Sequence, residues 1–222
     1  AEARGSRLMH RLHRDTARRP ECLGRFRHGE QAWDAVTSED KQEIRECLEG
    51  MQGRRCAYCE ASIDDLGCHI EHFRRRRVFP TLTFEWENLL MSCGKGDCCG
   101  HYKDSKGWPY NPDDLVNPTV DEPDDFFCFR ESGVIDVRPN DDLRARRARE
   151  TIRVLNLDHR GRLRPMRARQ LQWYKNMDPD VFDELMDLSD EDRREYIEEE
   201  LNATASQPFC SIIRHFLQDL AS

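Results

Sequence analysis

The stretch CHIEHFRRRR, residues 68–77, sets His69, Glu71 and His72 together and then runs into Arg74, Arg75, Arg76 and Arg77. Imidazole beside carboxylate is donor chemistry for a divalent ion and proton-transfer chemistry for a reacting water. Guanidinium is the side chain best shaped for phosphate oxygens. The three in ten residues are what a metal site facing a phosphodiester requires. Further along, Asn88 stands sixteen residues after His72, and His101 thirteen after that.

Thiols frame this stretch. CAYC, residues 56–59, is a Cys-x-x-Cys knuckle, and CGKGDCC, residues 93–99, supplies a second group. Four thiolates brought together bind Zn²⁺ tetrahedrally at about 2.3 Å per bond. The segment between the knuckles is too short to bury a core of its own, so a structural zinc would supply folding energy there. Cys56, Cys59 and Cys93 are three candidate ligands; Cys98 and Cys99 compete to be the fourth. The other cysteines, at positions 22, 47, 68, 128 and 210, are isolated and read as small buried hydrophobes.

The elements that must position these groups are mixed but helix-dominated. Over 30–53, Trp33, Val36, Ile44, Leu48 and Met51 recur at helical spacing, and Ser38 is placed to cap a helix ending at Gly50 or Gly53. The Pro/Asn/Asp-rich residues 108–124 read as loop, and FFCFRESGVIDVRP, 126–139, as two short strands around a Ser-Gly turn. From Asp141 the pattern is helical, broken near 159–161, 178–179 and 207–208. The expected organisation is an N-terminal arm and helices over 1–55, a metal-bearing core over 56–107, and a loop, hairpin and helices over 108–222.

With 35% charged residues and a mean hydropathy of −0.87, the chain has no apolar run near the ~20 residues of a membrane span, and a cytoplasmic protein is expected. The ten cysteines then point to metal rather than disulfides. The net charge of −8 argues against nucleic acid only as an average, because arginine crowds 4–19, 74–77 and 144–169 while acid crowds 178–200.

A thiol-framed segment holding an acid–His pair, then Asn, then His fits the HNH, or ββα-metal, nuclease pattern. More narrowly, CAYCE, HIEHFR, FEWENLLMSC and CGHYKDSKG, with ARETIRVLNLDHRGRLRPMRAR further on, resemble the HNH endonuclease PtuB family of Septu and retron-linked anti-phage systems. The resemblance runs from about residue 20 to about residue 169. It implies an α+β, helix-dominated protein: a zinc-stapled ββα-metal element flanked by helical regions, working as a defence endonuclease on DNA with a PtuA-type ABC/SMC-like ATPase. It also implies roles. His72 is the general base, Asn88 orients it, and Glu71 with His101 ligates a catalytic Mg²⁺ or Mn²⁺. Cys99, directly before GHYKD, completes the zinc site with Cys56, Cys59 and Cys93. Arg75 stands where the family pattern has proline.

His69 shares a strand face with Glu71 and could approach the same ion or simply pack there. The alternation places His72 opposite Glu71, so a bulge or strand end is expected to swing both toward one pocket. Arg74–Arg77, Lys103 and Lys106 are candidate phosphate contacts. Two other readings compete: an RNA-cleaving effector, and a zinc-stapled nucleic-acid-binding module without chemistry. The acidic helices at 178–200 are a candidate docking surface for the ATPase.

Overall fold

The computed structural model describes residues 11–139, 141–179 and 181–220, with the side chains of residues 183, 184 and 186 outside that description. Residues 1–10 of the expected arginine-rich arm lie outside the described residues. The described chain forms two compact units: residues 11–121 with 150–157, and residues 122–149 with 158–220.

The first unit is organised by helix α1 (Ser38–Gln52) against a two-stranded antiparallel sheet, β1 (Cys68–His72) and β2 (Leu89–Cys93). Thr37, not the expected Ser38, caps α1: its side chain accepts from Asp40 N–H while the Asp40 carboxylate accepts from Thr37 N–H. The helix ends at Gly53, whose φ of 60° is the left-handed conformation glycine adopts without penalty. Ile44, Cys47, Leu48 and Met51 lie three to four residues apart and are buried with Leu89, Leu90 and Met91 of β2, Phe73, Phe84 and Trp86. All five residues of β2 are buried, so its free edge needs partners. Gln52 supplies them: its amide oxygen accepts from Met91 N–H and its amide nitrogen donates to Met91 O, both at 2.9 Å. The short helices α2 (Ile63–Leu66) and α3 (Cys99–Ser105) flank the sheet.

The second unit begins with a small hairpin, β3 (Phe127–Phe129) and β4 (Ile135–Val137), close to the two strands expected around the Ser-Gly turn. Gly133 sits in that turn at φ 82°, and a Cβ there would drive into the Arg164 carbonyl. Helix α4 (Asp142–Leu155) has residues in both units. It is followed by α5 (Leu163–Lys175), α6 (Val181–Asp187), α7 (Asp190–Thr204) and α8 (Cys210–Leu220). Helix α8 packs on α5, α7 and β3. The helix breaks fall where expected, with one more at Ser189, which caps α7 by accepting from Asp192 N–H. Among the described residues no helix is long and apolar enough to cross a membrane.

Candidate functional site

The thiols come together first. The Sγ atoms of Cys56, Cys59, Cys93 and Cys99 all lie within 4.8 Å of one another, and all four residues are buried. Tetrahedral Zn–S bonds of about 2.3 Å place sulfurs about 3.8 Å apart, so this donor set fits a single zinc-sized ion. Two turns make the geometry. Glu60 N–H donates to Cys56 O and adopts φ 63°, closing the first knuckle, while Cys99 at φ 56° opens α3. Ser92 braces the cluster by accepting from Gly100 N–H at 3.1 Å. Cys98 is buried behind the group, with its Sγ 3.8 Å from that of Cys93.

Next to the thiols, β1 and α3 bring a second set of groups together. His69 and Glu71 point to one face of β1, with His69 Nε2 3.2 Å from Glu71 Oε2. His101 on α3 stacks its ring on His69, centroids 3.7 Å apart at 20°. The approach depends on Gly100: a Cβ there would collide with Glu71 Oε2 and stand 2.9 Å from His69 Nε2. Glycine therefore lets α3 approach until its backbone abuts a carboxylate oxygen and an imidazole nitrogen. The trio is gathered less closely than the thiols, since among the described residues the four cysteines are the group already within mutual ligand distance.

Charge in this cluster is already arranged. Lys103, with no side-chain exposure, places Nζ 2.5 Å from Glu71 Oε1. Burial alone would raise the Glu71 carboxyl, but the Lys103 charge and the His69 bond hold it below the usual carboxylate range. Burial opposes a charge on His69, and Glu71 outweighs it, so the His69 pKa is raised. His101 moves the other way, through burial and then the charge of its stacked neighbour.

His72 lies apart from this set. β1 pairs with β2 without a bulge from Cys68↔Cys93 to His72↔Leu89, so the expected swing toward Glu71 does not occur. Its ring meets Trp33 edge-on at a centroid distance of 4.5 Å, and its Nε2 is 3.0 Å from Thr83 O. A carbonyl only accepts, so Nε2 carries the proton in that bond and the neutral ring keeps its lone pair on Nδ1. Burial pushes the His72 pKa down to about 4. Asn88 does not bond to His72. Its Oδ1 accepts from Arg74 N–H at 2.7 Å, and its Nδ2 donates to Arg74 O and Leu82 O, each at 3.0 Å.

The expected phosphate contacts divide sharply. Lys103 is a correction: it is enclosed and committed to Glu71, out of reach of a ligand. Arg74 pairs with Asp113 and lies over Phe79, and Arg75 pairs with Asp104 and lies over Tyr110. Arg76 is exposed with only a 3.9 Å approach to Asp34, and Arg77 is exposed with no ion-pair partner among the described residues. Both line an open cavity of about 660 Å³ with His28, Trp33, Pro80 and Thr83, two of which also contact His72. Lys106 is exposed above the Tyr102 ring. Sequence reasoning missed Tyr58, whose hydroxyl donates to Glu71 Oε1 at 3.5 Å. Its place inside CAYC was the available signal.

Comparison with known proteins gives two matches of one kind. A Septu protein PtuB from Bacillus thuringiensis is 28% identical over 130 residues, covering 55% of this chain and 44% of the relative. A second Septu protein PtuB, from Bacillus mycoides strain KBAB4, is 24% identical over 157 residues, covering 58% of this chain and 50% of the relative. The chain thus spans about half the length of the curated relatives it matches. No protein-family model matches.

Proposed function

Because the chain belongs to the PtuB family, we propose that it is the nuclease component of an anti-phage system, hydrolysing nucleic-acid phosphodiester bonds by HNH chemistry. The observation that carries this reading is the close approach at Gly100, which brings a carboxylate and two stacked imidazoles together beside a four-thiol cluster. Glu71, His101 and His69 would hold a divalent ion, Mg²⁺ or Mn²⁺, and the four cysteines a structural Zn²⁺. The bound divalent ion would polarise the scissile phosphate and stabilise the leaving oxygen.

The remaining roles belong to the chain itself. His72 would be the general base: its neutral ring, protonated on Nε2 against the Thr83 carbonyl, keeps the Nδ1 lone pair. Substrate binding must bring that nitrogen to the phosphate, because His72 and Glu71 lie on opposite faces of β1. Asn88 supports this indirectly, by holding the backbone that leaves β1 rather than the imidazole. Arg76 and Arg77, beside the cavity next to His72, meet the nucleic-acid backbone. The partner in this reading is a PtuA-type ATPase, and DNA is the substrate ahead of RNA.

Incubating the protein with labelled DNA and RNA, with Mg²⁺ or Mn²⁺ and with or without the ATPase, tests the reading. Cleavage is expected with DNA, and His72→Ala should abolish it without changing zinc content. Wild-type cleavage by that variant would remove His72 as the base. A second reading draws on the hold Lys103 has on Glu71: a zinc-stapled binding module without chemistry. It requires retention of DNA in gel shifts and no cleavage with any divalent ion.

A further inference from the structure

Lys103 is a long cation with 0% side-chain exposure, an arrangement that costs several kcal/mol unless the charge is fully met. It is met by three close oxygens, Glu71 Oε1 at 2.5 Å, His72 O at 2.6 Å and Phe73 O at 3.2 Å, with the Asp104 carboxylate at 3.4 Å adding to the charge balance. An ammonium has three N–H donors, so none remains for a ligand. Two of the acceptors are consecutive backbone carbonyls. In a regular strand such carbonyls point to opposite sides, so one donor reaching both marks where the chain leaves β1.

The Asn88 amide grips the next residue, pairing with Arg74 N–H and Arg74 O as a neighbouring strand would. The exit from β1 is therefore held by two side chains, Lys103 and Asn88. That exit is where Glu71 and His72 diverge to opposite faces. Nothing in the surrounding apolar core needs an ion pair here, because a pair of neutral side chains of similar volume would pack as well.

Resting on the nuclease reading above, we propose that Lys103 is a positioning residue for the Glu71–His72 pair. Its ammonium takes the inner oxygen of Glu71 and the two carbonyls that end β1. This leaves Oε2 beside His69, against Gly100 and next to His101, and keeps His72 on the opposite face. Lys103 touches neither substrate nor reacting atoms.

The test compares wild type with Lys103→Met, after zinc content and circular dichroism establish that the variant is folded. Titration with Mn²⁺ followed by electron paramagnetic resonance, without nucleic acid, is the first readout. Lost positioning weakens Mn²⁺ binding about tenfold, although a positive charge has been removed from beside the site. Tighter binding would mean that Lys103 merely repels the ion, and unchanged binding that it does nothing for the site; either overturns the proposal. Under saturating Mn²⁺ the variant should lose about 100-fold in kcat, with KM for DNA within twofold. Its log–log salt slope for DNA binding should be unchanged, whereas a cation that had been holding a phosphate would lower it by about 0.9 on removal. A raised KM with a flattened slope would return Lys103 to the phosphate.

Should Lys103→Met fail to fold, wild-type protein labelled with ¹⁵N-lysine gives the answer. Its enclosed ammonium should show a slowly exchanging signal that broadens with Mn²⁺ and ignores metal-free DNA; a response to DNA alone would overturn the proposal. The two readings fail separately. Wild type that never cuts but follows the Mn²⁺ predictions loses the nuclease and keeps the positioning role. Wild type that cuts, with a variant that cuts equally well, loses only the positioning role.

Discussion

Two buried histidines, one in each unit, differ in how much of their hydrogen-bonding capacity the fold spends. His215 on α8 spends both nitrogens: Nδ1 accepts from Phe129 N–H at 3.1 Å, and Nε2 lies 3.2 Å from Asp124 Oδ1, whose other oxygen pairs with Arg214. His72 spends one, on Thr83 O, and its Nδ1 makes no hydrogen bond among the described residues. Exposure does not distinguish them, at 5% and 6%. A saturated imidazole ties a strand to a helix. One with a lone pair in reserve can accept a proton.

The units differ in the same sense. The first gathers four thiols that could hold one metal ion, with a carboxylate and two imidazoles beside them. The second gathers Arg214 and His215 around the Asp124 carboxylate. Removing one thiol should therefore have the largest effect of any single change. Cys56→Ser or Cys59→Ser should lose about one zinc per chain by elemental analysis, together with on the order of 10 kcal/mol of coupled folding energy. A strong chelator should do the same to wild type. Cys210→Ser should do neither.

In the second unit, Asp124→Ala strands Arg214 and His215 in the interior and should cost about 3–5 kcal/mol in urea unfolding, with zinc content untouched. An equal loss from His72→Ala would erase the distinction drawn between the two histidines.

The acid response sharpens it further. Burial lowers the His72 pKa from 6.5 to about 4, so its neutral form is favoured in the folded state. The corresponding stability is complete above pH 6.5 and is lost as pH falls from 6.5 to about 4, by about 3 kcal/mol in all. Replacing His72 with phenylalanine should flatten that limb of the stability–pH curve; a slope identical to wild type would refute the assignment.

Smaller still, Arg76→Gln with Arg77→Gln should weaken DNA binding equally for all sequences and lower its salt slope by about 0.9 for each phosphate no longer neutralised. Arg74 and Arg75 are held by Asp113 and Asp104, so replacing them should disturb the loop more than the slope. At the bottom of the scale, Asp64→Ala removes an exposed partner of Arg54 and should leave the melting temperature unresolvably changed.

Much of the site was legible because its chemistry is written in residue types. Clustered cysteines at knuckle spacing admit few uses in a chain without disulfides, and the four thiols do converge. The hairpin strands and helix breaks were legible from turn residues, which act through local backbone sterics. The cap of α1 was misread by one position because Thr37 and Ser38 are both good caps, and only the reciprocal bond with Asp40 chooses between them. Lys103 was misread because a lysine after His101 has the same local signature whether it meets solvent or a buried carboxylate 32 residues away.

The sequence by itself determined which donors exist and roughly which elements carry them, because ligand chemistry and local propensity are properties of single residues and short windows. Tertiary structure decided which donors meet. An unbulged β1 sends Glu71 and His72 to opposite faces, and Gly100 lets α3 close over the first. The ammonium of Lys103 is spent on the carbonyls where the strand ends and not on an incoming phosphate. Such pairings depend on which buried polar groups are left wanting partners once the core has closed, and that is settled only when every neighbouring chain segment is in place.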